Sequence, residues 1–90
     1  MEDFLLSIVV PVYNRPDEIE ELLSSLVGQS PFCYEVIIVE DGSAIPCKEV
    51  VERYEGAFPV QYIAIPNGGP SNARNVGSTQ AQGRYLVILD

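Results

Sequence analysis

The sequence contains no histidine and no tryptophan, and only five of its 90 residues are lysine or arginine. Without histidine, this stretch of chain cannot supply a Ser–His or Cys–His catalytic pair, or a histidine-ligated zinc site. The five basic residues are outnumbered by 13 acidic ones, which gives a formal net charge of −8 at pH 7. A strongly acidic chain repels the phosphate backbone of nucleic acids, so nucleic acid is not an expected partner.

Long apolar runs are also missing. No segment approaches the roughly 20 apolar residues of a membrane-spanning helix, so we expect no membrane segment in this chain. The amino terminus lacks the basic region and the cleavage site of a signal peptide. Cys33 and Cys47 do not have the spacing of a metal site. Two free thiols in a reducing cytoplasm are the favoured interpretation, with a disulfide left open. The expected location is cytoplasmic, and any membrane association would come from regions outside residues 1–90.

The residues that are present have a globular composition, since 47% are hydrophobic and 20% are charged. Short apolar runs, rich in β-branched residues, alternate with segments of helical periodicity. The runs predict four strands, at residues 5–12, 34–39, 60–65 and 85–89. The other segments predict three helices, at residues 16–28, 48–55 and 71–82. Pro16 is suited to the first helix start and Ser71 to capping the third.

Strands separated by helices of this length predict parallel pairing through right-handed crossovers. The fold class is therefore α/β, with a doubly wound, Rossmann-like sheet in the strand order 3-2-1-4. Ligands of such sheets bind beyond the carboxyl ends of the strands, where the winding reverses. With this order, Tyr13, Asp41 and Asp90 are expected to line a single crevice.

The turn after the first strand has no glycine, so the phosphate cradle of a dinucleotide-binding fold is missing. Tyr13 in this turn can stack on a nucleobase, or it can pack against the start of the first helix. Asp41 closes the second strand, where its carboxylate can accept hydrogen bonds from a base or a ribose. Asp41 can equally cap the turn that follows it.

Two further charged residues follow the same logic. Arg74 lies near the start of the third helix, after a glycine-rich turn, where it can bind a phosphate or a carboxylate. A structural salt bridge is the alternative for Arg74. Asp90 ends the fourth strand and is either an ordinary polar strand end or a ligand of a divalent cation. The metal interpretation requires a second carboxylate within a residue or two.

Taken together, the motifs resemble the N-terminal part of glycosyltransferase family 2, whose members have the GT-A fold and use nucleotide-sugar donors. The matching segments run through almost the whole chain in order. They are SIVVPVYN at 7–14, LVGQS at 26–30, YEVIIVEDGS at 34–43, NGGPSNARNVG at 67–77 and GRYLVILD at 83–90. Any one of them alone would be a weak signal, whereas the linked set is specific.

The resemblance implies a three-layer α/β/α domain and assigns roles to particular residues. The residues that would contact the nucleotide, usually a uridine one, are Pro11, Val12, Tyr13, Asp41 and Arg74. Asp90 would be the first acid of a D-x-D motif that holds Mn²⁺ or Mg²⁺ with the donor diphosphate. Glu40 departs from the family pattern, in which an aspartate is frequent at this position.

The implied activity is inverting transfer of a sugar from a nucleotide-diphospho-sugar, UDP-sugar above all, to an acceptor hydroxyl. The acceptor would be a carbohydrate or a lipid-linked molecule, as in cell-surface polysaccharide biosynthesis. Residues 1–90 would form only the nucleotide-binding half of the catalytic domain. The second acid, the acceptor side and the general base would lie beyond Asp90, so the 90-residue chain alone is expected to be inactive. The alternative is a nucleotide-binding α/β module without transfer activity.

Overall fold

A computed structural model describes residues 4–28 and 33–89. The elements alternate regularly along the chain: β1 (Leu6–Val12), α1 (Pro16–Leu26), β2 (Tyr34–Asp41), α2 (Lys48–Tyr54), β3 (Val60–Ile65), α3 (Pro70–Gln80) and β4 (Tyr85–Ile88). These strands form one parallel sheet in the order β3-β2-β1-β4. The predicted α/β class and the 3-2-1-4 strand order are confirmed. Asp90, the predicted metal ligand, lies outside the described residues, as do Gln29 and Ser30.

The two central strands are covered on both faces, which explains why they are almost continuously apolar. β1 pairs with β2 from Leu6 opposite Tyr34 to Val12 opposite Glu40. β2 extends two residues beyond its predicted end, because the ladder with β3 continues as far as Asp41 opposite Ile65. The two acidic residues at positions 40 and 41 are therefore part of the sheet and point to opposite faces.

Each face of the sheet has its own apolar core, which gives the predicted three layers. The helices α1 and α2 cover one face, where the buried residues are Ile8, Val10, Val12, Ile19, Leu23, Val36, Ile38, Cys47, Val50, Val51 and Phe58. The helix α3 covers the other face over a smaller cluster of Val9, Ile37, Val39 and Ala73. Ala73 and Gly77 are the buried residues of α3. Small residues at these positions let the helix approach the sheet closely.

The start of α3 differs from the prediction. The helix begins at Pro70, with Gly69 as its N-cap at φ 92°, and not after Ser71. Proline is well suited to the first helical position, because its fixed φ is helical and no hydrogen bond is lost there. The helix also ends at Gln80, two residues early, because Ala81 is extended (φ −67°, ψ 134°). The Gly69–Pro70 pair, rather than a serine cap, thus sets the direction of α3.

A buried polar network holds the amino end of the sheet together. The Ser7 hydroxyl donates to Glu35 Oε2 at 2.6 Å and accepts from the Gly83 N–H at 2.7 Å. Glu35 Oε2 also accepts from the Gln82 N–H at 2.7 Å. These bonds attach the connection between α3 and β4 to the two central strands, at the end of the sheet opposite the carboxyl ends.

Among the helices of the described residues, none is long and apolar enough to cross a bilayer. The cytoplasmic location stays a prediction.

The two cysteines are free and occupy different environments, since Cys33 is exposed and Cys47 is fully buried. Burial, followed by the neighbouring Glu40 carboxylate, raises the pKa of the Cys47 thiol from 9.0 to about 12. The thiolate is the reactive form of cysteine. Cys47 is therefore protonated as well as shielded at neutral pH.

We expect a thiol reagent such as DTNB to react with Cys33 in the native protein and with Cys47 only after denaturation. Cys33→Ser should remove the native reaction and leave Cys47 to react only in denaturant. Rapid native reaction of both thiols would contradict the burial of Cys47.

The raised pKa of Cys47 has a second consequence, for the pH dependence of stability. Between pH 9 and pH 12 the Cys47 thiol ionises in the unfolded chain but stays protonated in the folded one. The contribution of Cys47 to the free energy of unfolding therefore falls as the pH rises through this range.

Candidate functional site

A cleft of about 530 Å³ lies at the carboxyl ends of β1 and β2, beside the start of α3. This volume is in the range of small-molecule sites. The residues that line it are Pro11, Val12, Tyr13, Arg15, Asp41, Asn67, Gly69, Pro70 and Arg74. All five residues predicted to contact a nucleotide are in this set. The structure therefore brings them together, while their role in binding stays a prediction.

The turn after β1 forms the apolar wall of the cleft. Val12 is buried in the core, and Pro11 is half-buried at the end of the strand. Tyr13 follows on the cleft wall and is 51% exposed. The described part of the chain thus leaves about half of this residue uncovered. An exposed ring on the wall of a cleft is suited to stacking on a planar ligand.

Asp41 anchors the glycine turn, defined here as residues 67–69. Its side chain is 5% exposed, and each carboxylate oxygen accepts a backbone N–H. Oδ1 accepts from Gly68 at 2.8 Å and Oδ2 accepts from Gly69 at 3.1 Å. The Asn67 side-chain amide donates to the Asp41 backbone carbonyl at 3.3 Å. Asp41 thus does cap a turn, although this turn is the one after β3 and not the one that follows Asp41. A carboxylate oxygen can accept more than one hydrogen bond, so each oxygen retains acceptor capacity.

Two of the five basic residues of the chain lie on the cleft wall. Arg74 is half-buried on α3, and one of its nitrogens lies 3.5 Å from the Ser71 hydroxyl. Arg15 precedes α1 and forms an exposed ion pair with Glu18 at 3.4 Å. Exposed pairs of this kind are weak and break easily. In a chain of net charge −8, two guanidinium groups on one cleft favour an anionic ligand. Arg15 was not among the predicted site residues, although the scarcity of basic residues could have pointed to it.

Glu40 lies behind the cleft, on the α1–α2 side of the sheet, and is only 3% exposed. Its Oε1 accepts from the Cys47 N–H at 2.7 Å and from the Tyr62 hydroxyl at 2.9 Å. Its Oε2 accepts from the Ser43 hydroxyl at 2.5 Å. Burial, followed by the Glu40 carboxylate, raises the pKa of Tyr62. The residue that departs from the family pattern therefore organises the loop at residues 42–47.

The described residues do not by themselves form a metal site. Within residues 4–28 and 33–89, no three histidine, cysteine, aspartate or glutamate side chains are grouped as metal ligands. Asp41 is the one carboxylate of this part of the chain that lines the cleft, and both its oxygens already hold the glycine turn. A single carboxylate does not make up a cation site, which needs several oxygen ligands. The predicted metal depends on Asp90, outside the described residues.

Comparison with known proteins agrees with this geometry. Residues 7–90 match the family described as glycosyl transferase family 2. A relative from Haemophilus influenzae, named as an uncharacterised glycosyltransferase, is 42% identical over 96% of this chain. The crystal structure of Staphylococcus aureus TarS 1–349 superimposes with a TM-score of 0.88 at 35% identity over 97% of this chain. A second structure of the same protein, in complex with UDP, superimposes with a TM-score of 0.87 at 33% identity, again over 97% of this chain.

The matched region is a minor part of each of these proteins. This chain spans 29% of the Haemophilus relative and 27% of the TarS chain in these two crystal structures. The fold of this chain nevertheless agrees with that of TarS over the shared region, namely the GT-A arrangement of a parallel sheet between helices. The family match covers nearly all of the sequence. The chain therefore belongs to glycosyl transferase family 2.

Proposed function

We propose that this chain is the donor-binding half of a longer glycosyltransferase that uses a nucleoside-diphosphate sugar. The longer protein is called the parent enzyme below. The observation that supports this best is the cleft itself, in which an exposed tyrosine, a buried carboxylate and two arginines meet at the carboxyl ends of the central strands. Such a combination of aromatic, acceptor and cationic groups matches the three chemical parts of a nucleoside diphosphate.

The residues divide the ligand between them. Tyr13 stacks on the base, and Pro11 and Val12 form the apolar floor beneath it. Asp41 accepts a hydrogen bond from a base N–H, for which it retains lone pairs beyond those used by the glycine turn. Arg74 and Arg15 contribute positive charge for the diphosphate. Uracil offers one ring N–H between two carbonyl groups, so an acceptor-only carboxylate suits UDP. The UDP complex of the TarS relative supports this choice of nucleotide.

The rest of the proposal concerns the parent enzyme. Asp90 and a second acid one or two residues later would hold Mn²⁺ or Mg²⁺, which would neutralise charge on the departing diphosphate. A general base further along the chain would activate an acceptor hydroxyl for inverting transfer. The acceptor would be a carbohydrate or a lipid-linked molecule. The name of the TarS relative, a poly(ribitol-phosphate) β-N-acetylglucosaminyltransferase, supports a role in cell-surface polymer synthesis.

Calorimetry on the parent enzyme tests the proposal. We expect UDP to bind, Mn²⁺ to strengthen the binding and EDTA to weaken it. Tyr13→Ala should raise the Kd for UDP about tenfold, since base–aromatic stacking contributes about 1–3 kcal/mol. Because Tyr13 is half-exposed, the same variant should leave the thermal midpoint nearly unchanged. Tyr13→Phe retains the ring and serves as the matched control, with an affinity close to that of the wild type.

The possible outcomes separate the proposal from its alternative. Absence of UDP binding by the wild-type parent enzyme would refute it. Binding without donor hydrolysis or transfer to any acceptor would favour a non-catalytic nucleotide-binding module. A parent sequence without an acid within two residues of Asp90 would refute the metal assignment alone.

A further inference from the structure

We propose that Glu40, Ser43 and Asn14 are positioning residues that hold Tyr13 in place for stacking on the nucleobase. This inference rests on the proposed function and concerns side chains to which that function assigns no role. It arises from a chain of hydrogen bonds that runs from the buried face of β2, through the 42–47 loop, to the turn that carries Tyr13.

The first link joins the turn after β1 to the loop after β2. Asn14 has a left-handed backbone conformation, with φ 54°, which turns the chain sharply just after Tyr13. Its N–H donates to Ser43 Oγ at 2.8 Å. Its side-chain Oδ1 accepts from the Ile45 N–H at 3.0 Å. These two bonds connect segments that are about 30 residues apart in sequence, and they hold Asn14 from both its backbone and its side chain.

The second link gives the Ser43 hydroxyl a fixed direction. Because Ser43 Oγ accepts a hydrogen bond from the Asn14 N–H, its own hydroxyl hydrogen must be directed elsewhere. It forms a hydrogen bond to Glu40 Oε2 at 2.5 Å. A backbone N–H only donates hydrogen bonds, so the polarity of the Asn14–Ser43 bond cannot reverse. Glu40 is held in turn by the Cys47 N–H and the Tyr62 hydroxyl. This series of hydrogen bonds thus ends on Glu40, a buried residue whose carboxylate is held by several partners.

The third step relates this series of hydrogen bonds to the ligand. Tyr13 is half-exposed, so packing in the protein restrains its side chain only partly. Its orientation in the cleft then depends on the backbone of the turn, which Asn14 and Ser43 hold. Glu40 and Asp41, the two consecutive acids at the end of β2, thereby hold different loops on the two faces of the sheet. Asp41 holds the glycine turn on one side of the cleft, and Glu40 holds the aromatic side through Ser43.

A double-mutant cycle in the parent enzyme tests whether Ser43 acts through Tyr13. The Kd for UDP is measured for the wild type, Ser43→Ala, Tyr13→Ala and the double variant. Loss of one hydrogen bond of ordinary strength should raise the Kd about fivefold in Ser43→Ala. In the Tyr13→Ala background, the same change should have almost no effect, because the ring that it positions is gone. The Kd for inorganic pyrophosphate, which has no base, should be the same in all four proteins.

Conservative and control variants separate positioning from a general loss of structure. Ser43→Thr retains a hydroxyl and should restore the wild-type Kd. Ser25→Ala removes a hydroxyl that donates to the Leu22 carbonyl on the exposed side of α1, and it should leave UDP binding unchanged. Asn14→Gly keeps the left-handed turn but removes Oδ1, so it should raise the Kd about threefold. If Ser43→Ala folds poorly, Asn14→Gly provides the test in its place.

The results that would overturn the inference differ from those that would overturn the proposed function. If the wild type binds UDP and Ser43→Ala and Asn14→Gly bind it equally well, the positioning role is refuted. If the Ser43 and Tyr13 effects multiply in the double variant, Ser43 acts independently of the ring and the inference fails. If the wild-type parent enzyme does not bind UDP, the proposed function fails, and the inference fails with it.

Discussion

Replacing Asp41 with asparagine in the parent enzyme is expected to reduce UDP affinity more than tenfold and to lower the free energy of unfolding by about 2 kcal/mol. The buried carboxylate accepts one backbone N–H on each oxygen, from Gly68 and Gly69. An asparagine amide has one oxygen and one NH₂ group, so either orientation places a donor against one of these N–H groups. The glycine turn should then move away from β2, and the acceptor for the base is lost with it.

Urea unfolding and UDP calorimetry on the same samples measure the two effects of Asp41→Asn. Glu52→Gln is the matched control, because it also replaces a carboxylate with an amide but at an exposed position of α2. It should alter neither the stability nor the UDP affinity appreciably. Tyr13→Ala should reduce affinity with little loss of stability. A variant Asp41→Asn with unchanged stability would contradict the role of this carboxylate as the anchor of the glycine turn.

Replacing Gly77 with alanine is expected to lower the free energy of unfolding by about 2–3 kcal/mol, because the change overpacks a filled core. A Cβ atom at this position would lie 2.3 Å from Val9 Cγ1 and 3.2 Å from Val39 Cγ2. Both valines are fully buried in the sheet, and β-branched side chains have little rotamer freedom with which to move aside. The helix α3 must therefore shift outward as a whole.

The same substitution at Gly56 is the matched control for Gly77→Ala. No atom lies within 4 Å of a Cβ built at Gly56, so Gly56→Ala should be neutral or slightly stabilising. Denaturant midpoints measure both variants. Because α3 carries Arg74 and begins at the glycine turn, Gly77→Ala should also weaken UDP binding in the parent enzyme. An unfolding free energy within experimental error of the wild type would show that α3 can move without cost.

Most of the architecture follows from local patterns. Apolar runs of β-branched residues mark buried strands, and helices between them require parallel pairing, so the order of the sheet could be predicted. That rule also places Tyr13 and Asp41 at one end of the sheet, where the structure has them on one cleft. The boundaries of α3 were less accurate. The position of a helix start depends on the conformation of Gly69 and Pro70, which periodicity does not report.

The spacing of the elements and the handedness of their connections thus determined the strand order. The family, the three layers and the five cleft residues followed from the linked motifs that resemble glycosyltransferase family 2. Only the tertiary structure decided which atoms hold the cleft in shape. The bond from Gly68 to Asp41 spans 27 residues, and that from Asn14 to Ser43 spans 29. The tertiary structure also shows that Glu40, which departs from the family pattern, is buried and holds the 42–47 loop. Hydrogen bonds between distant loops depend on three-dimensional approach, and a local sequence pattern contains no measure of it.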